Sequence, residues 1–546
     1  MYWKHMLRLF MLAICFHFTS CCAVDIHSKE SKGTKKVTES RIEKIVNLNV
    51  KAGGEYVVTG IVDLHGANAK IPTNVLLTFK KGGAIVNGTL IGNKTRINSK
   101  FEKFLGVRLK GTWHVDKISD IIFNNQYLSD DDIISNLNTI QSDEIFNEVR
   151  INRDLHVTIS KSGGSVLEPS SHSILYLNGT LFLEGNGCKS YQIINIKNKE
   201  DVSIKGGRIV GDVGKHTYIK DSSSEWGMGV YILQSNNINI SDLYITKCTG
   251  DGIYITGGKE PSIGISDNAS KNISIMNVTC DDNRRQGLSI IHVDGLAVRN
   301  CSFINTGLTE FTAPGAGVDI EPNISNGRNM SVQNLVVDNC TFTGNKGASI
   351  LASYTYEAEG RKNFKNLVFS NCHADGTLKA YSTDLTFRHC TFKEVSFASA
   401  YSPTHITMES CIINGGYGIN LYVPSKNGII SKDRLLAIDL SDCTISVGEG
   451  EDMSTSLFSC NKGYITNIEY INVKDCNLKI PRSKSNKFKL TSNSFNNKLH
   501  ITNSVIEMGS CSFDATGLDL KRNKIHCAKV IKKPMGLDNK IIIMNN

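Results

Sequence analysis

The chain has 546 residues, 47 of them glycine and only 9 proline, with 61 basic against 52 acidic side chains and a formal net charge of +9. Basic runs interleaved with aromatics are missing, which argues against a nucleic-acid partner, and the mild positive excess admits a polyanionic ligand without demanding one. The 16 cysteines are not spaced as a disulfide framework or as CxxC metal pairs.

Residues 1–21 read as an export signal: Lys4 and Arg8 precede an apolar run from Leu9 to Phe18 that is too short to span a bilayer. Phe18-Thr-Ser-Cys21 has the small-residue-then-cysteine form of a bacterial lipoprotein processing site, so Cys21 is the expected lipidated residue and the membrane anchor, and the envelope or surface the expected location. A plain secretory cleavage is the alternative. Residues 22–45 are charged and aperiodic, as a tether would be.

Residues 46–112 alternate apolar and polar residues between glycine turns (Tyr56-Val-Val-Thr, Val75-Leu-Leu-Thr-Phe), giving a small β-element or the first coils of a rod. Residues 113–150 form a capping segment. Within it Ser129 precedes Asp130, Asp131 and Asp132, a helix start that suits the dipole, and apolar residues from Ile133 to Phe146 follow at roughly helical spacing. A solenoid needs such a plug for its open end.

From 151 to 546 one phrase recurs, for example Asn334-Leu-Val-Val-Asp-Asn-Cys340, Asn366-Leu-Val-Phe-Ser-Asn-Cys372 and Ala437-Ile-Asp-Leu-Ser-Asp-Cys443. Period-two alternation makes each copy a strand, and repetition every 20 to 50 residues makes the array a solenoid of parallel sheets. Cys301, Cys340, Cys372, Cys390, Cys411, Cys443 and Cys476 occupy one place in the repeat, interchanging with Leu243, Val278 and Ser504. That exchange predicts a file of buried, reduced thiols acting as small hydrophobes.

A second strand type follows each turn: Gly229-Val-Tyr-Ile-Leu, Gly252-Ile-Tyr-Ile-Thr, Gly287-Leu-Ser-Ile-Ile, Gly317-Val-Asp-Ile-Glu and Gly347-Ala-Ser-Ile-Leu. Laid coil on coil, these place Tyr231, Tyr254, Ser289, Asp319 and Ser349 in one outward row and Leu233, Thr256, Ile291, Glu321 and Leu351 in another. Met228, Asp251, Gln286, Ala316 and Lys346 stand just before the glycines. Insertions at 211–226, 257–270, 306–315, 322–332 and 353–364 surround this stretch, as functional loops do on a rigid scaffold.

The phrases at 250–256, 272–291 and 202–212 resemble the right-handed parallel β-helix repeats of the pectate-lyase-like superfamily, over most of 113–530. The resemblance implies an all-β right-handed parallel β-helix and a groove that meets a polysaccharide. It leaves the chemistry open, since such folds host lyases, hydrolases, epimerases and binding proteins. Thr-Gly-Asp251-Gly resembles the aspartate strand of polygalacturonase-like hydrolases, with one Asp where those carry two, and their Gly-His-Gly and Arg-Ile-Lys phrases are missing.

The candidate catalytic residues are Asp319, Glu321, Arg284, Arg285 and Asp251, and the candidate substrate contacts are Tyr231, Tyr254, Trp226, Gln286, His292 and Lys346. The leading expectation is an exported lyase or epimerase of uronate-containing glycans, in which arginine neutralises the sugar carboxylate. The alternatives are a glycoside hydrolase with Asp319 and Glu321 as acid and base, and a non-catalytic carbohydrate-binding or surface scaffold protein. Asp251, Asp281 and Asp282 also offer oxygens of the kind Ca²⁺ takes.

Overall fold

In the computed structural model, Met1–Val149 and Arg150–Asn546 are two compact units. The described residues are two strands at 26–30 and 33–37 and most of 51–543. The segments left out between 51 and 543 are 98–103, 116–127, 141–146, 161, 220–223, 259–267, 323, 326–327, 354–362, 382, 399–402, 416–417, 422–434, 448–455, 461–467, 481–488, 492–497, 513–517 and 533–538. The export signal, Cys21 and most of the tether lie outside the described residues.

The first unit is an eight-stranded sheet followed by the helix Asp130–Ile140. Ser129 caps the helix, its Oγ accepting from the Asp132 N–H at 3.1 Å. The helix buries Ile133, Ile134, Leu137 and Ile140. It is fixed to the strand Phe104–Val115 of the same unit by one amide: Asn136 accepts from Leu109 N–H (2.7 Å) and donates to Val107 C=O (2.8 Å). The helix read as a plug is therefore docked on its own unit's sheet.

The second unit is a coiled parallel solenoid with a 25-stranded and a 14-stranded sheet. One coil takes Ser270–Met276 from the smaller sheet, then Thr279–Asp281 and Gln286–Ile290 from the larger. The next coil repeats this with Val293–Arg299, Ser302–Ile304 and Ala316–Ile320 in parallel register. The turn after the first strand explains the Asn-Cys phrase. Asn277, Asn300, Asn339 and Asn371 all adopt positive φ, from 51° to 55°, a conformation that asparagine tolerates better than bulkier residues. Their amides bond from coil to coil, for example Asn339 to Asn300 at 2.9 Å.

The cysteine that follows points inward. Each of the seven thiols is buried and free, and each donates to the backbone carbonyl two residues earlier, at 3.1 to 3.4 Å. Leu243, Val278 and Ser504 are likewise at most 1% exposed. The thiols stand in file, as the exchange with Leu and Val requires.

Candidate functional site

The glycines that open the second strand type turn a corner. A Cβ on Gly252 would lie 2.7 Å from Gly287 O and 2.8 Å from Cys280 Sγ, and one on Gly287 would lie 2.5 Å from Gly317 O. These positions thus face the crowded inside of the corner, and the next apolar residues, Ile253 and Leu288, face the core as well. Strict alternation is broken there. The residue before each glycine, Asp251 or Gln286, is thereby brought to the outer face beside Ser289 and Asp319.

The register places Tyr231 opposite Tyr254, Tyr254 opposite Ser289 and Ser289 opposite Asp319. One coil departs from the sequence reading: Leu351, not Ser349, lies opposite Asp319. Gly347 is not the corner residue of this coil. Counted from the preceding strand, Gly287 follows Cys280 by seven residues and Ser349 follows Phe342 by the same seven, so Ser349 takes the corner glycine's place. Its hydroxyl donates to Phe342 C=O at 3.0 Å, tying the corner. Lys346 consequently leaves the row before the glycines. It is exposed, and its Nζ reaches Leu308 C=O at 3.5 Å.

Asp319 is the centre of the site. Its side chain is buried (1% exposed) and its two oxygens differ. Oδ2 accepts from Gln286 Nε2 at 2.6 Å, whereas Oδ1 has no hydrogen-bond partner. The Gln286 amide is oriented unambiguously, because its Oε1 accepts from the Ala316 N–H at 3.1 Å. Oδ2 is therefore an acceptor, and a proton on Asp319 belongs on Oδ1. Burial and the adjacent Glu321 carboxylate push Asp319 well above the usual carboxylate range, with Arg285 and Gln286 only partly opposing. Burial also raises Glu321, against the pull of Arg285. Of the two, the more deeply buried Asp319 is the better proton holder.

Asp251, fully buried, is pushed up to about 6 by burial. It accepts from Ser289 Oγ at 2.7 Å and pairs with Arg285 Nη1 at 3.2 Å. Arg285 also lies 5.7 Å from the Trp226 ring centre. Trp226 meets Tyr254 edge-on at 6.0 Å, and Tyr254 stacks on Tyr231 at 5.6 Å. Trp226 is 44% exposed, so it presents a face to solvent next to the acids. Met228, Ile291 and Met330 pack around Tyr254 and Tyr231 on this outer side.

Arg284 does not join the acids. It stacks over the Tyr218 ring at 4.5 Å and donates to Thr249 C=O at 3.3 Å. Tyr218 donates to the Glu310 carboxylate, so the insertions at 211–226 and 306–315 are joined. Behind Tyr218, Asp212 is fully buried and accepts from Tyr191 OH (2.7 Å) and Asn186 Nδ2 (2.8 Å), with His216 Nδ1 at 2.7 Å. His292 is 3% exposed, and its Nδ1 bridges to the Ser331 backbone at 3.0 and 3.1 Å. It anchors the end of the 322–332 insertion instead of presenting a free ring. Asp251, Asp281 and Asp282 do not converge: Asp281 takes Tyr244 OH and Asn305, and Asp282 takes Lys247 and Thr309. Among the described residues no three such side chains group around a metal position.

Ser289 and the Tyr218–Glu310 tie were not singled out from the sequence. Ser289 was legible, being the small polar residue in file between Tyr254 and Asp319. The tie joins residues 92 positions apart and has no local signal.

Residues 149–358 match the family described as "right handed beta helix region". The solenoid is a right-handed parallel β-helix. All the acids of the site fall within the matched stretch of the β-helix. Two Bacillus subtilis (strain 168) proteins are similar in sequence: the SPbeta prophage-derived uncharacterized protein YorA, 25% identical over 53% of this chain, and the uncharacterized protein YclG, 32% identical over 25% of it. The matches span 50% and 24% of those proteins' own lengths. Among solved structures, the β-helix is similar to a mannuronan C-5 epimerase module of Azotobacter vinelandii (TM-score 0.38, 10% identity, 76% of this chain and 96% of that one). It is also similar to the catalytic unit of an α-1,3-glucanase of Streptomyces thermodiastaticus (TM-score 0.33, 9% identity, 76% and 66%).

Proposed function

We propose that the outer groove of the β-helix hydrolyses a glycosidic bond in a polysaccharide, with Asp319 as general acid and Glu321 as general base. The observation that carries this reading is the Asp319 carboxyl, buried beside a second carboxylate with one oxygen committed to Gln286 and the other unpartnered. A carboxyl whose proton is held well above the usual carboxylate range is what leaving-group protonation needs. Glu321, under the influence of the Arg285 charge, is the member left ionised to activate water.

Elimination or epimerisation of a uronate is less well supported, because the arginine beside the acids is already paired with Asp251. The N-terminal signal and Cys21 support export and lipid anchoring of the enzyme. The test is incubation with a panel of polysaccharides. New reducing ends without the absorbance of an unsaturated uronide support hydrolysis. That absorbance means a lyase, and binding without turnover means a scaffold. Asp319→Asn and Glu321→Gln should each lower turnover by ~10²-fold or more while the protein stays folded, and full activity in both removes them from the mechanism.

A further inference from the structure

Among the described residues the floor of the groove carries little positive charge, although the chain as a whole is basic. The outward row that contains Asp319 runs in unbroken register through ten coils, from Asn195 to Ser459, about 43 Å at ~4.8 Å per coil. Asp319, which holds its proton, and Lys379 are its only acidic and basic members. The rest are hydroxyl, amide, aromatic or aliphatic. At the acids themselves, Asp251, Asp319 and Glu321 face Arg285, whose guanidinium is bound to Asp251. Arg284 is turned to Tyr218 and the Thr249 carbonyl. A polyuronate carries one carboxylate per sugar along its whole length and would meet this acidic stretch with no matching series of cations along the row among the described residues, and like charges brought together in a partly buried groove are costly. Toward the N-terminal coils the floor is aromatic, Tyr254 stacked on Tyr231 with the exposed Trp226 beside them. Such rings receive the apolar faces of sugar rings, which need no charge.

We infer that the groove takes an uncharged glycan laid along the rod axis, with sugar rings seated on Trp226 and Tyr231 on the N-terminal side of the acids, and that it turns away polyuronates. This rests on the reading of the groove as a polysaccharide site, and it replaces the expectation of an acidic glycan drawn from net charge.

Tryptophan fluorescence tests it directly. Of the three tryptophans, Trp113 is fully buried and Trp3 lies in the export signal, so Trp226 is the solvent-facing reporter. The exported chain carrying Asp319→Asn, which binds with little turnover, is titrated at physiological salt with neutral oligosaccharides (glucans, xylans, mannans). Oligogalacturonate and alginate are titrated alongside, each also after chemical reduction of its carboxyls. The expected result is saturable change with at least one neutral series, lost in Trp226→Phe and weakened about tenfold or more in Tyr231→Ala. Each polyuronate should bind at least ~10-fold more weakly than its carboxyl-reduced form. Tighter binding of a polyuronate than of its reduced form, abolished by Trp226→Phe, overturns the inference and leaves the polysaccharide reading standing. Silence with every glycan overturns both.

Discussion

Asp319→Asn separates a catalytic acid from a structural residue, because stability and activity should move in opposite directions. The unfolded chain releases the Asp319 proton near its ordinary value of 3.8, whereas burial and Glu321 hold it on in the fold. Between that value and the raised folded one, the native state binds a proton that the unfolded state has lost. Stability therefore falls as pH rises through this window, by about 1.4 kcal/mol per pH unit, and is unaffected below it. Asparagine has the same shape, can accept from Gln286 Nε2 through its own Oδ1, and cannot titrate. The variant should match the wild type at pH 4 and exceed it by a margin that widens by about 1.4 kcal/mol for each unit above, while turnover falls ~10²- to 10⁴-fold. The assay is denaturant or thermal unfolding of both proteins from pH 4 to 7, alongside turnover on any glycan found to be cleaved. Parallel stability curves, or a wild type that gains on the variant as pH rises, would show Asp319 ionised in the fold and refute its role as acid.

Asp251 should titrate near 6 in an isotope-edited carboxyl spectrum, and Arg285→Met should move it higher, since the guanidinium is the largest influence holding it down. A titration unmoved by that substitution would break the pairing. Gly252→Ala should destabilise the β-helix by about 1–3 kcal/mol, because the new methyl meets Gly287 O at 2.7 Å and Asn283 Nδ2 at 2.8 Å inside a packed corner. An unchanged melting temperature would mean that the corner has slack. The seven file thiols should resist an aqueous thiol reagent in the native protein and react in denaturant. Rapid native labelling of any of them would place it outside the core. Metabolic labelling with a fatty acid should mark the chain and be lost in Cys21→Ser. Persistence of the label would move the anchor elsewhere.

The fold was legible because its determinants are local and repeated. A strand phrase ending in Asn-Cys reports a left-handed turn residue followed by an inward thiol, and Val278, Leu243 and Ser504 at the thiol position already showed that it faces the core. The outward row through Tyr231, Tyr254, Ser289 and Asp319 followed from the same counting. It failed at Ser349, where the serine itself takes the corner glycine's place and Gly347 misleads; counting from Phe342 gives the register. The partners of Arg284 and Arg285 were beyond reach. Two adjacent arginines read alike in sequence, yet one pairs with Asp251 and the other stacks on Tyr218 of an insertion more than sixty residues away.

The separation of those two arginines bears on how such a rod acquires a site. Neighbouring coils are joined by backbone pairing and, at several turns, by Asn-to-Asn bonds, while the thiols fill the core between them. The groove positions are therefore free to vary without unravelling the coil, and three successive coils supply Asp251, then Arg285 with Gln286 and Ser289, then Asp319 with Glu321. The acid and base share one coil, and the residues that hold them come from the two coils before it. Gln286 connects two of them: it accepts from the backbone of Ala316 and donates to Asp319, so the packing of one coil on the next decides which oxygen of the acid carries the proton. A substitution that shifted the register of these coils by one residue would turn Asp319 into the core and remove the chemistry while leaving the rod intact.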